Sequence, residues 1–157
     1  MTKRNVSQMK CQRILIVDDD RPLRILFEAL LVRQGFVLDC VEDGAEALRR
    51  LSTASYDAIL LDLMMPVTNG FDVLREFAAK RPALLRRTII ATGVNDRILD
   101  TIDRESVFAV LRKPFDIDQL VDTISRCASQ PADHFDHWGG QRVDGDESGS
   151  PQTGPHA

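Results

Sequence analysis

Aspartates follow two apolar runs of the sequence, at the point where each run ends. Asp18, Asp19 and Asp20 come directly after the first run, and Asp62 comes directly after a later one. If the two runs are neighbouring parallel strands, their carboxyl ends lie at one edge of the sheet, where open α/β folds place their ligands. Carboxylate oxygens are hard ligands that suit Mg²⁺. Asp18, Asp19 and Asp62 are therefore a candidate metal site that contains a candidate nucleophile.

The run of three aspartates also has a purely structural interpretation. Carboxylates at the start of a helix cap its free N–H groups and complement its dipole, and we assign that role to Asp20. Capping does not require three acids in a row, so the metal hypothesis stands for Asp18 and Asp19. Without a cation, the mutual repulsion of these acids should raise the pKa of at least one carboxyl, which couples metal binding to ionisation.

Two further apolar runs are followed by polar residues of complementary chemistry. Thr92 comes directly after one run, and Lys113 comes shortly after the last one. A carboxylate can accept a phosphoryl group, a metal can neutralise its oxygens, and a hydroxyl and an ammonium can bind them. Taken singly, Thr92 is more often a turn hydroxyl and Lys113 a solvated charge. Together with the aspartates, they favour a phosphoryl-transfer site.

Five apolar runs alternate with five segments of helical period. The runs are mostly solid, as in strands covered on both faces, and they occupy residues 14–17, 36–41, 58–61, 88–91 and 107–111. Apolar residues at helical spacing lie within 23–31, 45–51, 71–78, 98–102 and 117–128. This order predicts an α/β fold of the (βα)₅ type, with a parallel sheet and helices on both faces. Asp43 and Asp116 are expected helix caps, and Gly35 is the expected end of the first helix.

The charge distribution gives no indication of nucleic-acid binding. The 157 residues carry 24 acidic and 20 basic side chains, a net charge of −4. Five of the acids and one of the bases lie from Pro131 onward, so the preceding residues hold 19 of each and are neutral. The sequence therefore lacks the basic field that attracts nucleic acid.

Length, cysteine usage and the apolar runs indicate the class of protein. A hydrophobic content of 43% in 157 residues fits one domain with a core. The three cysteines lie far apart without a C-x-x-C spacing, which argues against a disulfide framework or a zinc site and fits a reducing cytoplasm. No apolar run is long enough to span a bilayer, so we expect a cytoplasmic protein without membrane insertion.

The chain divides into three parts. We expect residues 1–11 to be an N-terminal extension, 12–129 the folded domain, and 130–157 a disordered acidic tail, because the segment from Pro131 holds five of the nine glycines and few aliphatic side chains. His134 and His137 have a spacing that could ligate a metal. With no helix to fix them, a solvated tail is the leading interpretation.

The folded part resembles the receiver domain of bacterial response regulators. The resemblance covers about residues 12–129 and rests on Asp18-Asp19, on Asp62-Leu63-Met64-Met65-Pro66 with Gly70, on Thr92, and on Lys113-Pro114-Phe115. It implies a flavodoxin-like sheet of strand order 2-1-3-4-5, in which the strands before Asp18 and Asp62 are neighbours. It also implies a cis bond between Lys113 and Pro114, whereas the sequence alone favours trans.

The resemblance implies a role for each residue of the site. Asp62 is the phosphoacceptor, Asp19 the direct Mg²⁺ ligand, Asp18 a ligand through water, and Met64 a ligand through its backbone carbonyl. Thr92 is the switch hydroxyl, and Lys113 pairs with the acids and then with the phosphoryl group. A sensor histidine kinase or a histidine phosphotransfer protein would supply the phosphoryl group, and a downstream protein target would bind the changed surface. Such a domain is a signalling module rather than a turnover enzyme.

Some positions depart from the family pattern. Val110 stands where the family often has tyrosine or phenylalanine, so the usual aromatic readout is in question. We expect Phe108, two residues before Val110, to lie on the same strand face, from which it could substitute, although a buried core phenylalanine is the favoured interpretation. Met64 and Val94 are apolar and cannot orient an attacking water, from which we predict a phosphoryl-aspartate that hydrolyses slowly. Gly93 stands where alanine is common and should ease loop movement.

Two other functions remain open at this point. A phosphohydrolase of the haloacid-dehalogenase type also uses an aspartate nucleophile with Mg²⁺, and Asp18 and Asp20 satisfy its D-x-D spacing. However, Pro22 stands where that family needs threonine or valine, and the sequence offers no cap domain to exclude water. A phosphorylation-silent adaptor would use the receiver fold only as a scaffold, and Val110 keeps this alternative open.

Overall fold

A computed structural model describes residues 11–131 of the chain. Five strands form one sheet: β1 (Arg13–Val17), β2 (Val37–Val41), β3 (Ala58–Leu61), β4 (Thr88–Thr92) and β5 (Ala109–Arg112). Their order is β2-β1-β3-β4-β5, and every neighbouring pair is parallel. The predicted flavodoxin-like (βα)₅ fold and its strand order are therefore confirmed. Residues 1–10 of the predicted extension (1–11) and residues 132–157 of the predicted tail (130–157), with His134 and His137, lie outside the described residues.

Helices connect the strands: α1 (Arg21–Arg33), α2 (Gly44–Thr53), α3 (Gly70–Lys80), α4 (Asp96–Leu99) and α5 (Ile117–Ala128), with a 3₁₀-helix at Pro82–Arg87. The carboxylates of Asp20, Asp43 and Asp116 each accept a hydrogen bond from a backbone N–H in the first turn of the following helix. Gly35 follows α1 with a φ of +92°. These four predicted helix boundaries are confirmed. Within residues 11–131, no helix is long and apolar enough to cross a membrane.

The sheet separates two apolar cores, because successive side chains of a strand point to opposite faces. Leu15 and Val17 of β1 pack in the core that α2 and α3 cover. Ile14 and Ile16 pack in the opposite core, which α1 and α5 cover. All four side chains are fully buried, and each contributes roughly 1.5–3 kcal/mol by leaving water. Strands held on both faces give a fixed position to the residues that follow them.

The fourth helix is shorter than the sequence predicts. The apolar spacing within 98–102 indicates a helix, but α4 is a single turn at Asp96–Leu99, and turns follow it. Thr101 offers a physical reason, because its hydroxyl donates to the Ile98 carbonyl at 2.6 Å. Such bonds between a side chain and the nearby backbone compete with the helical pattern.

The fifth strand begins later than predicted, at Ala109 rather than at residue 107. Phe108 precedes the strand, with its N–H donating to the Thr88 carbonyl at 2.9 Å. Its ring packs in the core beneath α1 and α5, whereas Val110 packs against the opposite core. The predicted shared face of Phe108 and Val110 is therefore wrong, because strand alternation begins only after Phe108. The structure supports the interpretation of Phe108 as a core residue.

Candidate functional site

Two of the predicted acids are fixed by the sheet itself. β1 and β3 are hydrogen-bonded neighbours that end together, with Val17 opposite Leu61. Asp18 and Asp62 follow these residues, and each continues the hydrogen-bonding ladder: Asp62 N–H donates to the Val17 carbonyl at 2.9 Å, and Asp18 N–H donates to the Val41 carbonyl at 3.2 Å. Asp18 is 3% exposed and Asp62 is 6% exposed. Their backbones therefore hold two nearly buried carboxyl groups side by side.

The third acid joins them. Oxygen atoms of Asp18, Asp19 and Asp62 all lie within 4.8 Å of one another, and only Asp19 is exposed. Local hydrogen bonds orient the buried pair, because Asp18 Oδ1 accepts from the Asp20 N–H at 2.9 Å and Asp62 Oδ1 accepts from the Met64 N–H at 3.1 Å. Three carboxylates at this spacing are a hard oxygen donor set, which is the chemistry that Mg²⁺ requires.

Lys113 lies across the same carboxylates. Its Nζ is 2.8 Å from Asp18 Oδ2 and 3.3 Å from Asp62 Oδ2. The residue directly follows β5, where its N–H donates to the Thr92 carbonyl at 2.9 Å, and the Lys113–Pro114 bond is cis. The structure therefore brings a long side chain from β5 to the acids that follow β1 and β3.

The electrostatics of the site depend on burial and on this ammonium. Burial raises the pKa of Asp62, and the nearby charge of Asp18 raises it further, while the Met64 N–H and Lys113 oppose the shift. Burial alone would lower the pKa of Lys113, but its ion pairs with Asp18 and Asp62 outweigh this effect and raise it. The upward shift at Asp62 has the predicted direction, although burial contributes more than the repulsion between acids.

Thr92 lies at the same edge of the sheet, but its hydroxyl takes part in a local hydrogen bond. The residue ends β4 and is fully buried. Its hydroxyl oxygen accepts the Val94 N–H at 3.4 Å, which closes a turn of the kind that threonine commonly forms. In residues 11–131 the hydroxyl is hydrogen-bonded to this turn and to none of the three aspartates. Its predicted switch role stays a prediction.

The connection from β3 to α3 runs beside the phosphoacceptor candidate. Met64 is 59% exposed, and the metal-binding role of its carbonyl stays a prediction. Gly70, the first residue of α3, approaches the strand so closely that an added Cβ would lie 2.3 Å from the Asp62 carbonyl oxygen. Val67 has a φ of +67° and is 98% exposed. A β-branched residue rarely adopts this conformation, and nothing in the sequence pattern indicated it.

Sequence reasoning also missed Arg24. Its Nη1 donates to the Asp18 carbonyl at 2.5 Å, and its Nη2 lies 3.6 Å from Glu42 Oε2. The available signal was its place one helical turn after Asp20, from which a long side chain can return to the start of the helix.

Comparison with models of known protein families identifies the family of this chain. The family model described as the response regulator receiver domain matches residues 14–125. The chain belongs to this family. The matched range contains every residue of the predicted site, from Asp18 to Lys113.

Curated relatives of this receiver are longer proteins. The DNA-binding transcriptional regulator NtrC of Escherichia coli is 34% identical over 119 residues, which cover 74% of this chain and 24% of NtrC. The sensory/regulatory protein RpfC of Xanthomonas campestris is 27% identical over 128 residues, which cover 80% of this chain and 18% of RpfC. The transcriptional regulatory protein ResD of Bacillus subtilis is 44% identical over 69 residues, 44% of this chain and 29% of ResD. This chain therefore spans less than a third of each relative.

Solved structures of receivers are similar over most of this chain. The response regulator TrrA of Thermotoga maritima, crystallised in complex with Mg(2+)-BeF, matches with a TM-score of 0.65 at 28% identity. The match covers 74% of this chain and 98% of the TrrA chain. The receiver domain of sensor histidine kinase PA1611 of Pseudomonas aeruginosa, with a magnesium ion coordinated in its active site cleft, has a TM-score of 0.66 at 29% identity over 76% of this chain and 98% of its own.

Proposed function

We propose that this receiver is a phosphorylation-dependent signalling switch in which Asp62 accepts a phosphoryl group from a sensor histidine kinase or a histidine phosphotransfer protein. The observation that carries the proposal is the position of the Lys113 ammonium, bonded to both Asp18 and Asp62 at the edge where three carboxylates meet. Lys113, which follows β5, is brought to acids that follow β1 and β3 and lie 95 and 51 positions away in the chain. They fit phosphoryl transfer.

The geometry fits Asp62 as the nucleophile. One of its carboxylate oxygens accepts the Met64 N–H, and the other faces Lys113. In the transfer, an Asp62 oxygen forms a bond to phosphorus while the bond from phosphorus to the donor imidazole nitrogen breaks, and the bonding electrons remain with the imidazole. Lys113 keeps its charge because its pKa is raised, so it can pair first with the carboxylates and then with a phosphoryl oxygen.

The donor set fits a magnesium ion. We assign its direct binding to Asp19, Asp62 and the Met64 carbonyl, with Asp18 acting through water. Bound there, Mg²⁺ would neutralise charge on the phosphoryl oxygens. The proximity of the three carboxylates supports this assignment, as does the magnesium named for the receiver of PA1611.

Signal output belongs to the same proposal. Thr92 ends β4 and Lys113 directly follows the adjacent strand β5, so a phosphoryl group on Asp62 can act on both and alter the surface of α4, β5 and α5. We propose that a downstream protein target binds that surface, without contact to nucleic acid or membrane by this domain. We propose that this receiver meets its kinase and its downstream target in the cytoplasm.

The phosphohydrolase alternative loses its second acid. The carboxylate of Asp20 caps α1 by accepting the Leu23 N–H at 3.0 Å, and the acids that gather within 4.8 Å of one another are Asp18, Asp19 and Asp62 rather than the D-x-D pair. A phosphorylation-silent adaptor is the less favoured alternative, because Lys113 and the three acids are gathered at one edge of the sheet. It predicts that Asp62→Asn leaves partner binding and phenotype unchanged.

The test is stoichiometric labelling. The protein is incubated with acetyl phosphate and Mg²⁺, and the modified residue is mapped by mass spectrometry. We expect one phosphoryl group per molecule on Asp62, no label on Asp62→Asn, and normal labelling of Asp122→Asn, a matched surface acid on α5. Multiple turnovers of a generic phosphate ester, or no label in any donor and ion condition, would refute the proposal.

A further inference from the structure

We propose that Arg24 is a positioning residue for the metal site: its guanidinium holds the Asp18 carbonyl, and thereby holds the chain between β1 and α1 in the geometry that presents Asp18 and Asp19 to a cation. This role rests on the proposed function, because it concerns the same Mg²⁺ site. Arg24 lies outside the motifs that carry the resemblance to receiver domains.

The contact is local and well enclosed. Arg24 is the fourth residue of α1, and its N–H donates to the Asp20 carbonyl at 3.0 Å in the first helical turn. Helical side chains point toward the N-terminus, so the guanidinium returns to the residues before the helix. There Nη1 donates to the Asp18 carbonyl at 2.5 Å, and the side chain is only 14% exposed. An arginine this enclosed occupies a defined position.

The Asp18 carbonyl requires such a partner. Asp18 lies beyond the last residue pair of β1 and β3, which joins Val17 to Leu61, and its residue is 3% exposed. A buried carbonyl without a hydrogen bond costs roughly 1–3 kcal/mol. Because the same peptide group continues directly into Asp19, the bond from Arg24 also fixes the orientation of the backbone that carries the exposed acid.

Glu42 adds a second, weaker contact. The residue directly follows β2, and its Oε2 lies 3.6 Å from Arg24 Nη2. Its side chain is 72% exposed, so we expect the ion pair to stabilise little by itself. The guanidinium nevertheless donates a hydrogen bond to the Asp18 carbonyl through Nη1 while Nη2 lies at ion-pair distance from Glu42, which links α1 to the ends of β1 and β2. A lysine cannot reproduce this geometry.

Two effects of Arg24 on a bound cation have opposite signs. A positive guanidinium near the site repels Mg²⁺, so electrostatics alone predicts tighter binding when the arginine is removed. Positioning predicts weaker binding, because the carboxylates lose their fixed arrangement. We expect positioning to win, since loss of a residue that supports metal ligands typically weakens metal affinity by roughly 10–100-fold.

The deciding measurement is the Mg²⁺ dissociation constant of the full chain by isothermal titration calorimetry. We expect Arg24→Met to raise the Kd roughly tenfold. Arg49→Met, which removes an exposed arginine and its ion pair with Glu46 on α2, should stay close to wild type. An unchanged or lower Kd in folded Arg24→Met would overturn the positioning role.

Further measurements separate this role from general stability. At saturating Mg²⁺, the rate of labelling of Arg24→Met by acetyl phosphate should return to near the wild-type rate, whereas a purely structural role would lower the unfolding temperature and leave the Mg²⁺ dependence unshifted. If Arg24→Met does not fold, Arg24→Gln decides, because its shorter side chain keeps a polar end that does not reach the Asp18 carbonyl, and a wild-type Kd in that variant overturns the role. Wild-type protein that binds no Mg²⁺ would instead refute the proposed function itself.

Discussion

The two halves of the sheet hold their edge residues differently. In the half formed by β1 and β3, Asp18 and Asp62 are nearly buried, continue the backbone ladder, and have oriented carboxylates. In the half formed by β4 and β5, Thr92 is turned to a local bond and α4 is one turn long. The ion pairs there, Arg112 with Asp96 and Arg104 with Asp100, join half-exposed or exposed side chains. The first half therefore holds its acidic side chains in one geometry. We expect the polar residues of the second half to rearrange more readily.

The two halves should differ most in their response to one added methyl group. An added Cβ at Gly70 would lie 2.3 Å from the Asp62 carbonyl oxygen, whereas at Gly93 it would meet nothing within 4 Å. We expect Gly70→Ala to lower the free energy of unfolding by about 3 kcal/mol or more. Gly93→Ala should change it by less than about 1 kcal/mol. Urea unfolding of both variants measures the contrast, and equal losses would remove it.

The next largest effect concerns the ammonium that joins the two halves. Lys113→Met leaves two nearly buried carboxylates without their cation. The native Lys113 side chain is 25% exposed. Loss of one partner from a buried ion pair costs about 3–5 kcal/mol, so we expect about 2 kcal/mol at this partly exposed position. Added Mg²⁺ should restore more stability to the variant than it adds to wild type. Thermal unfolding with and without Mg²⁺ tests this, and a variant as stable as wild type would contradict it.

The lifetime of the phosphorylated state depends on residues from both halves of the sheet. Met64 is exposed beside Asp62, and Val94 is buried after Thr92. Both side chains are apolar, so neither can hydrogen-bond an attacking water. We expect phosphoryl-Asp62 in isolated protein with Mg²⁺ to last for many minutes or longer. Met64→Asn, which places an amide beside the site, should shorten the lifetime roughly fivefold, because one hydrogen bond to an attacking water contributes about 1 kcal/mol. A wild-type lifetime of seconds would reject the prediction.

A smaller effect should follow from the backbone at Val67. This valine adopts a φ of +67° while 98% exposed, so packing does not compensate for the conformation. Asparagine tolerates the left-handed region better, and we expect Val67→Asn to stabilise the protein by about 1 kcal/mol. Val37→Asn, at an exposed strand position with ordinary geometry, is the control. Destabilisation by Val67→Asn would argue against strain at this position.

The smallest effect is the pH dependence that Asp62 contributes. Burial raises its pKa in the folded state, so its contribution to stability is fully present below the unfolded pKa and is lost as pH rises through the folded pKa. Asp62→Asn removes this loss. We therefore expect the variant to be more stable than wild type near neutral pH in metal-free buffer, and equally stable under acidic conditions. Urea unfolding across pH measures the difference, and a less stable variant at neutral pH would contradict the sign.

The sequence was informative where a residue's position follows from the end of a buried strand. Solid apolar runs located β1 and β3, and the acids after them had to meet once the strands were neighbours, an adjacency that only the family resemblance supplied. The helix caps Asp20 and Asp43 were equally readable, because a side-chain cap is a local interaction.

Other features depended on contacts that no pattern encodes. The bond of Thr101 to Ile98 shortens α4, and the start of β5 at Ala109 places Phe108 and Val110 on opposite cores. Gly70 was recognised as part of a motif, but the reason for it, close approach to Asp62, is visible only in three dimensions. Arg24 was missed because its acceptor is a backbone carbonyl rather than a complementary side chain.

The ion pair between Lys113 and Asp18 joins residues 95 positions apart in the chain. A fragment that has made β1 to β4 carries the acids and the hydroxyl but not this ammonium, which arrives only after β5 has docked. Under the proposed function, a copy that ends before β5 would therefore lack the ammonium that pairs with Asp18 and Asp62 and could not complete the phosphoryl-transfer site.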